Sequence, residues 1–184
     1  LMQISVVIPL FNESESLPEL MAWIDRVMQA NQFTYEVIMV DDGSDDNTKR
    51  VINDFKVTSS FKVIHSWHEN KGFRVAKSRN KAISKSNFEY IILIDGDTIL
   101  HPDFTRDHLL NAEFGFFIQG KRVLISINET RKILLSQNID FSFFSLGLKN
   151  RLNSIHSKLL SNIFSIKKNS LRGIKTCNMS FFKK

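Results

Sequence analysis

Residues Tyr90–Asp97 read Tyr-Ile-Ile-Leu-Ile-Asp-Gly-Asp. The unbroken apolar run Ile91–Ile94 has the character of a strand buried on both faces of a parallel sheet. It stops at two carboxylates, Asp95 and Asp97, with only Gly96 between them. Carboxylate oxygens are hard ligands for a divalent cation, and α/β sheets bind their ligands at the carboxyl ends of strands. A cation held there neutralises a diphosphate. An acidic loop capping the next helix is the simpler account of a lone Asp-x-Asp, so the other strand ends must decide.

The first strand ends Val7-Ile8-Pro9-Leu10-Phe11-Asn12-Glu13, and Pro9 interrupts the ladder so that the backbone is free to meet a ligand. The second ends Val40-Asp41-Asp42-Gly43-Ser44-Asp45-Asp46, where carboxylates again begin as the apolar run stops. Ser44, Asp45 or Asp46 suits the cap of a helix starting near Thr48. Asp41 and Asp42 lie farther from that start and are placed to accept hydrogen bonds from a base and ribose. Ahead of the third helix, Lys71 and Arg74 add positive charge to an anion-attracting helix terminus. Arg79 shares a helical face with Val75, Ala76, Ala82 and Ile83, so it turns toward the sheet. An unpaired buried charge costs several kcal/mol, so Arg79 needs a carboxylate or phosphate partner.

Strand-like runs at Ile4–Leu10, Glu36–Val40, Phe61–Ser66 and Tyr90–Ile94 alternate with helical stripes. One stripe is Leu17, Leu20, Met21, Ile24, Val27 and Met28, with Pro18 suited to its start. Thr48, Val51, Ile52 and Phe55 mark the second, and the Arg79 face the third. Such alternation predicts an α/β fold: a mostly parallel sheet with right-handed crossovers and helices on both faces. Beyond it, Phe116–Ser126 reads as a strand, Asn128–Ser136 and Leu152–Ile166 as helical, and Leu171–Phe182 as a returning strand.

The chain's 184 residues suffice for one domain, and 42% apolar with 24% charged residues is a globular balance. Cys177, the only cysteine, excludes an intrachain disulfide framework and fits a reducing compartment. A strand-like run begins at once, so no signal peptide is expected, and no apolar segment reaches the ~20 residues of a membrane span. Net charge is +6, but Lys121–Lys184 holds 13 Lys/Arg and 2 Asp/Glu. That basic part suits anionic lipid head groups or a phosphorylated acceptor, or is a solvated face. No nucleic-acid reading motif is found.

As an ordered set, Val6–Glu13, Val40–Ser44, Gly72–Arg74 with Ala76–Asn80, and Asp95–Asp97 resemble the nucleotide-sugar domain of family 2 glycosyltransferases, which have the Rossmann-like GT-A fold. The likeness covers Ile4 to about Phe104 and is nearest to bacterial members that build surface polysaccharides. It implies an inverting, metal-dependent glycosyltransferase taking a nucleotide-sugar donor, with UDP expected, to a glycan or lipid-linked acceptor. Pro9, Phe11 and Glu13 then line the base pocket, and Asp41 or Asp42 reads the base. Arg79 holds the aspartates or the diphosphate, Asp95 contacts ribose or metal, and Asp97 ligates Mn2+ or Mg2+. Arg74 and Gly96 complete the nucleotide-sugar set. The implied location is cytoplasmic, peripheral at the inner face of the cell membrane.

The resemblance divides a single domain, 1–184, into a nucleotide-sugar part (1–104) and a truncated acceptor-side part (105–184). Family members usually carry a catalytic carboxylate beyond the strand that Cys177–Phe182 resembles, in a Trp-Gly-x-Glu-Asp segment that is not found here. The base that an inverting displacement needs stays unassigned, and a truncated or non-catalytic donor-binding domain is the alternative. A nucleotidyltransferase is disfavoured because Leu10–Leu17 lacks glycine and basic residues. A dinucleotide oxidoreductase is disfavoured because no Gly-x-Gly-x-x-Gly follows the first strand.

Overall fold

A computed structural model describes residues 2–69, 72, 75–139, 141, 143–155, 163 and 174–183. In order, the elements are β1 (Gln3–Leu10), α1 (Leu17–Ala30), β2 (Thr34–Asp41), α2 (Thr48–Thr58), β3 (Lys62–Trp67), α3 (Val75–Lys85), β4 (Tyr90–Ile94) and α4 (Phe104–Leu110). They continue with β5 (Phe117–Gln119), β6 (Leu124–Ile125), α5 (Ile127–Ser136), β7 (Leu148–Lys149) and β8 (Asn178–Phe182). Two compact units result: Leu1–Gln119 with Ile174–Lys184, and Gly120–Gly173.

The first unit is built on a six-stranded sheet of order β3-β2-β1-β4-β8-β5. β1 runs parallel to β2 and β4, and β2 parallel to β3. β8 returns antiparallel between β4 and β5. Ile4–Ile8, Glu36–Asp41 and all of β4 are buried at successive positions, so both faces of the central strands are covered. β1–α1–β2 and β2–α2–β3 step one way along the sheet, and β3–α3–β4 steps back across β1. Right-handed crossovers therefore set α3 on the face opposite α1 and α2. Ala82 and Ile83 of α3 pack with Val7, Ile38, Val40, Ile91 and Leu93. α1 buries the predicted stripe and Trp23 as well, with a proline in its first turn.

Two strand expectations are revised. Phe116–Ser126 is not one strand, because Gly120, Lys121 and Arg122 interrupt the apolar run; β5 and β6 fall in different units. The returning strand is shorter than Leu171–Phe182, with Thr176 and Cys177 forming a turn before β8. Most of the Leu152–Ile166 helical spacing lies outside the described residues. Within the second unit, β6 pairs antiparallel with β7, and the Ser126 side chain caps α5 by accepting the Glu129 N–H.

At the end of the sheet away from the acidic strand ends, Glu36 is fully buried. Its Oε1 accepts from Ser5 Oγ at 2.7 Å and from the Asn87 backbone N–H at 2.6 Å, while Oε2 accepts from Asn87 Nδ2 at 2.6 Å. This carboxylate ties β1, β2 and the turn before β4 together. Glu36→Ala strands three donors, each worth about 1–3 kcal/mol when buried and unmet. We expect urea denaturation to show a loss of about 3 kcal/mol or more; a loss below about 1 kcal/mol would contradict the latch.

Candidate functional site

β1 lies where the strand order reverses, with β2 on one side and β4 on the other. The crevice outside the carboxyl ends at such a switch point is the natural ligand site of an open α/β sheet. A cleft of about 250 Å³ opens there. Its walls are Pro9, Leu10, Phe11 and Glu13 beyond β1, Asp42 beyond β2, Ser78 and Arg79 from α3, and Asp95, Gly96 and Asp97 beyond β4. Of the residues expected from sequence, Pro9, Phe11, Glu13, Asp42, Arg79, Asp95, Gly96 and Asp97 meet on this cleft. Asp41 does not line it, and Arg74 lies outside the described residues, as does Lys71.

The two loops that shape the cleft are sewn together. Asn12 N–H donates to Ser44 Oγ (3.0 Å), Glu13 N–H to Thr48 Oγ1 (3.1 Å) and Ser14 N–H to Asp46 Oδ2 (3.2 Å). In return, Asp45 N–H donates to Asn12 Oδ1 (3.1 Å). Asn12 (φ 55°) and Gly43 (φ 80°) take the left-handed turns this requires, which suit asparagine and glycine. Gly96 is needed for space rather than for φ: a Cβ there would sit 2.9 Å from Leu10 Cδ2 and 3.3 Å from Glu13 Cγ.

The adjacent aspartates after β2 have different surroundings. Asp41, fully buried, accepts the Ser44 N–H at 2.8 Å through Oδ1 and faces His65 Nε2 at 3.4 Å through Oδ2. The His65 pair is within ion-pairing distance but lacks hydrogen-bond alignment. Burial pushes the Asp41 carboxyl up, yet His65 and Ser44 together hold it below the usual range. Asp42 turns into the cleft. Its Oδ1 lies 2.9 Å from His68 Nε2 and accepts from Ser78 Oγ at 3.2 Å.

On the far wall, Arg79 Nη2 reaches Asp95 Oδ1 at 3.4 Å, the carboxylate partner its inward position demands. Its Nε is buried with no partner among the described residues. Burial lowers the Arg79 pKa, opposed by the charge of Asp95. Cys177 is half-buried in the turn before β8. His101 accepts the Asp103 N–H at 3.1 Å, as befits a loop residue before α4.

Among the described residues no three His, Cys, Asp or Glu side chains converge on a metal position. Beyond β4, Asp95 and Asp97 bring two carboxylates to the cleft wall. That donor set does not make an all-protein cage. It does match the sites in which one or two carboxylates hold a hard cation whose remaining ligands are water and substrate phosphates.

Fold and cleft together define a GT-A-type α/β domain. The model of glycosyl transferase family 2 matches residues 5–176, and the chain belongs to that family. The poly-beta-1,6-N-acetyl-D-glucosamine synthase of Staphylococcus epidermidis is 27% identical over 178 residues, covering 93% of this chain and 41% of that protein. S. aureus TarS 1–349 in complex with UDP superposes with a TM-score of 0.51 at 23% identity, over 59% of this chain and 31% of that one. The mannosyltransferase PcManGT of Pyrobaculum calidifontis, in complex with GDP-Man and Mn2+, gives 0.56 at 18% identity, over 71% and 38%. The chain spans less than half the length of each of these relatives.

The His68 and Ser78 contacts to Asp42 were missed from sequence. A histidine after one strand and a serine ten residues on carry no spacing signal; only the fold brings them to one carboxylate. The role of Asp46 is clearer than expected. Slight burial pushes its carboxyl up, but hydrogen bonds from Thr48 and Ser14 outweigh that and bring it to about 2. A depressed native pKa stabilises the fold above the unfolded value of 3.8 and ceases to do so as pH falls toward about 2. Asp46→Asn should therefore lower the melting temperature at neutral pH and flatten the parent's loss of stability across that acid window. Acid limbs of equal steepness in thermal melts would show that the clasp does not depend on this charge.

Proposed function

We propose that this chain is the donor-binding part of an inverting, metal-dependent glycosyltransferase. It takes a UDP-linked hexose or N-acetylhexosamine and serves a growing glycan or glycolipid of a bacterial envelope. The observation that carries this reading is the meeting of Asp42, Arg79, Asp95 and Asp97 on one cleft at the switch point. Asp42 is an acceptor-only group, suited to an imide N–H such as that of uracil. Arg79 lines the cleft, and its guanidinium fork suits phosphate oxygens. Asp95 and Asp97 would hold Mn2+ or Mg2+, which absorbs the charge developing on the departing nucleoside diphosphate. Family membership and the polysaccharide-synthase relative support transfer to a glycan.

Calorimetric titration with UDP tests the reading. Mn2+ should tighten binding by roughly tenfold or more, equivalent to ~1.4 kcal/mol. Asp97→Ala should abolish that gain while leaving metal-free binding nearly intact. Equal affinity with and without Mn2+, or an Asp97→Ala protein indistinguishable from the parent, would defeat the metal assignment. Binding without any sugar transfer would favour a non-catalytic donor-binding domain.

The second unit carries the basic surface. Residues 120–173 hold 10 Lys/Arg and 2 Asp/Glu, and Leu135, Phe144, Leu146 and Leu152 are exposed there. Exposed apolar side chains among cationic ones suit the head-group region of an anionic bilayer, and we propose peripheral membrane contact through this unit. No helix among the described residues is long and apolar enough to cross a membrane. Sedimentation with phosphatidylglycerol vesicles should retain the protein, and Phe144→Glu with Leu146→Glu should release it. Equal retention by phosphatidylcholine vesicles, or no retention at all, would exclude this contact.

A further inference from the structure

In the second unit, Glu129, Lys132, Ile133 and Ser136 recur at i, i+3, i+4 and i+7 and so share one face of α5. Gln137 ends the helix in the left-handed region (φ 54°, ψ 24°), and its N–H bonds the Ile133 carbonyl at 2.7 Å. That turn redirects the chain, and Asn138 and Phe141 meet the same helix face. Together the six residues line a cavity of about 200 Å³, and none of them belongs to the cleft at the sheet. The donor reading makes no use of it.

Ile133, only 4% exposed, and the half-buried Phe141 give the cavity apolar surface. Its polar groups are of both kinds. Glu129 Oε1 accepts from Lys132 Nζ at 2.6 Å, while Oε2 accepts nothing among the described residues. Ser136 Oγ accepts the Asn138 N–H at 3.3 Å and keeps its own proton to donate. The Asn138 side-chain amide, a donor and an acceptor at once, makes no hydrogen bond among the described residues.

Charge then decides the ligand class. Glu129 and Lys132 cancel, so the described lining has no net charge with which to recruit a phosphate or a cation. A hydrocarbon chain would cover the same polar groups without meeting them, which is costly. A pyranose ring is the complement: it is uncharged, apolar on its C–H face, and edged by hydroxyls that both give and take hydrogen bonds. Phe141 offers the C–H face a flat partner, and Asn138, Ser136 and Glu129 offer the hydroxyls theirs.

We propose that this cavity binds one uncharged sugar unit of a glycan, as a site separate from the donor cleft. The proposal rests on the reading above in taking that glycan to be the growing acceptor chain. The site then sets affinity for the glycan and leaves donor binding alone.

The test is calorimetry of the 184-residue protein with chitopentaose, a neutral oligomer of N-acetylglucosamine, with UDP and Mn2+ titrated separately. A dissociation constant of about 1 mM is expected for a single gripped ring. Phe141→Leu keeps apolar bulk but loses the ring, and Asn138→Ala changes an exposed side chain, so both should fold. Each should weaken chitopentaose binding by roughly fivefold or more, the scale of one lost contact, and leave UDP affinity unchanged. Raising the salt to about 1 M should shift chitopentaose affinity by less than about twofold, because no charge on the ligand is screened. Inorganic phosphate should not compete. Absence of chitopentaose binding at about 10 mM, parent-like binding by both variants, or displacement by phosphate overturns the proposal. Binding that survives both variants leaves the glycosyltransferase reading intact and removes only this site. Failure of the parent to bind UDP while chitopentaose binding still responds to Phe141→Leu and Asn138→Ala removes the donor reading and upholds the site.

Discussion

A strand buried on both faces cannot hold a lone charge, and the arrangement of this domain follows from that constraint. Moving an ion out of water costs several kcal/mol unless partners replace its hydration. The central strands β1, β2 and β4 accordingly show long buried stretches, and their charged groups are satisfied by hydrogen bonds, set beside a basic side chain as Asp41 is beside His65, or displaced to the rim. Glu36 is the satisfied case, with both carboxylate oxygens met by Ser5 and Asn87. Asp42, Asp95 and Asp97 are the displaced case. Parallel strands share one direction, so their displaced acids gather at one end, and the reversal of strand order at β1 opens a cleft there.

Gathering acids is not enough to make a usable site, because loops tolerate movement and binding geometry does not. The rim is fixed by loop-to-loop hydrogen bonds rather than by a core of its own. Asn12, Glu13 and Ser14 are held by Ser44, Thr48 and Asp46, so the walls beyond β1 and β2 behave as one piece. Gly96 lets the turn beyond β4 approach that piece within van der Waals contact of Leu10 and Glu13. Asp95 and Asp97 thereby come onto the same cleft as Phe11 and Asp42.

What could be read from sequence was whatever rests on short-range pattern. Apolar runs located the first four strands and helical spacing located three helices, because both periodicities record which face is buried. Arg79 was legible for the same reason: its place on the apolar face of α3 required a partner, and Asp95 supplies it. Pattern did not separate Asp41 from Asp42. Adjacent residues at a strand end point opposite ways, and only the fold tells which way leads to the cleft and which to His65. His68 and Ser78 escaped notice because their meeting with Asp42 depends on three separate elements. The split of Phe116–Ser126 escaped notice too, since an apolar run does not announce that its halves join different sheets.

The Arg79–Asp95 contact carries a last consequence for how such a cleft accepts a ligand. At 3.4 Å and with both side chains partly exposed, the pair is a loose one, and ion pairs of that kind contribute about 0–1 kcal/mol. Exchanging it is therefore cheap. It is still strong enough to keep a cation and an anion pointed at the same space before any ligand arrives. Under the donor reading, an incoming diphosphate would offer Arg79 a bidentate partner, and Asp95 with Asp97 would hold the metal ion. A tight, well-aligned Arg79–Asp95 pair would have opposed that exchange by several kcal/mol; a lysine at position 79 would have held the acids but lacked the planar fork for phosphate. The loose geometry and the choice of arginine both favour a site that reorganises its charges when the ligand enters.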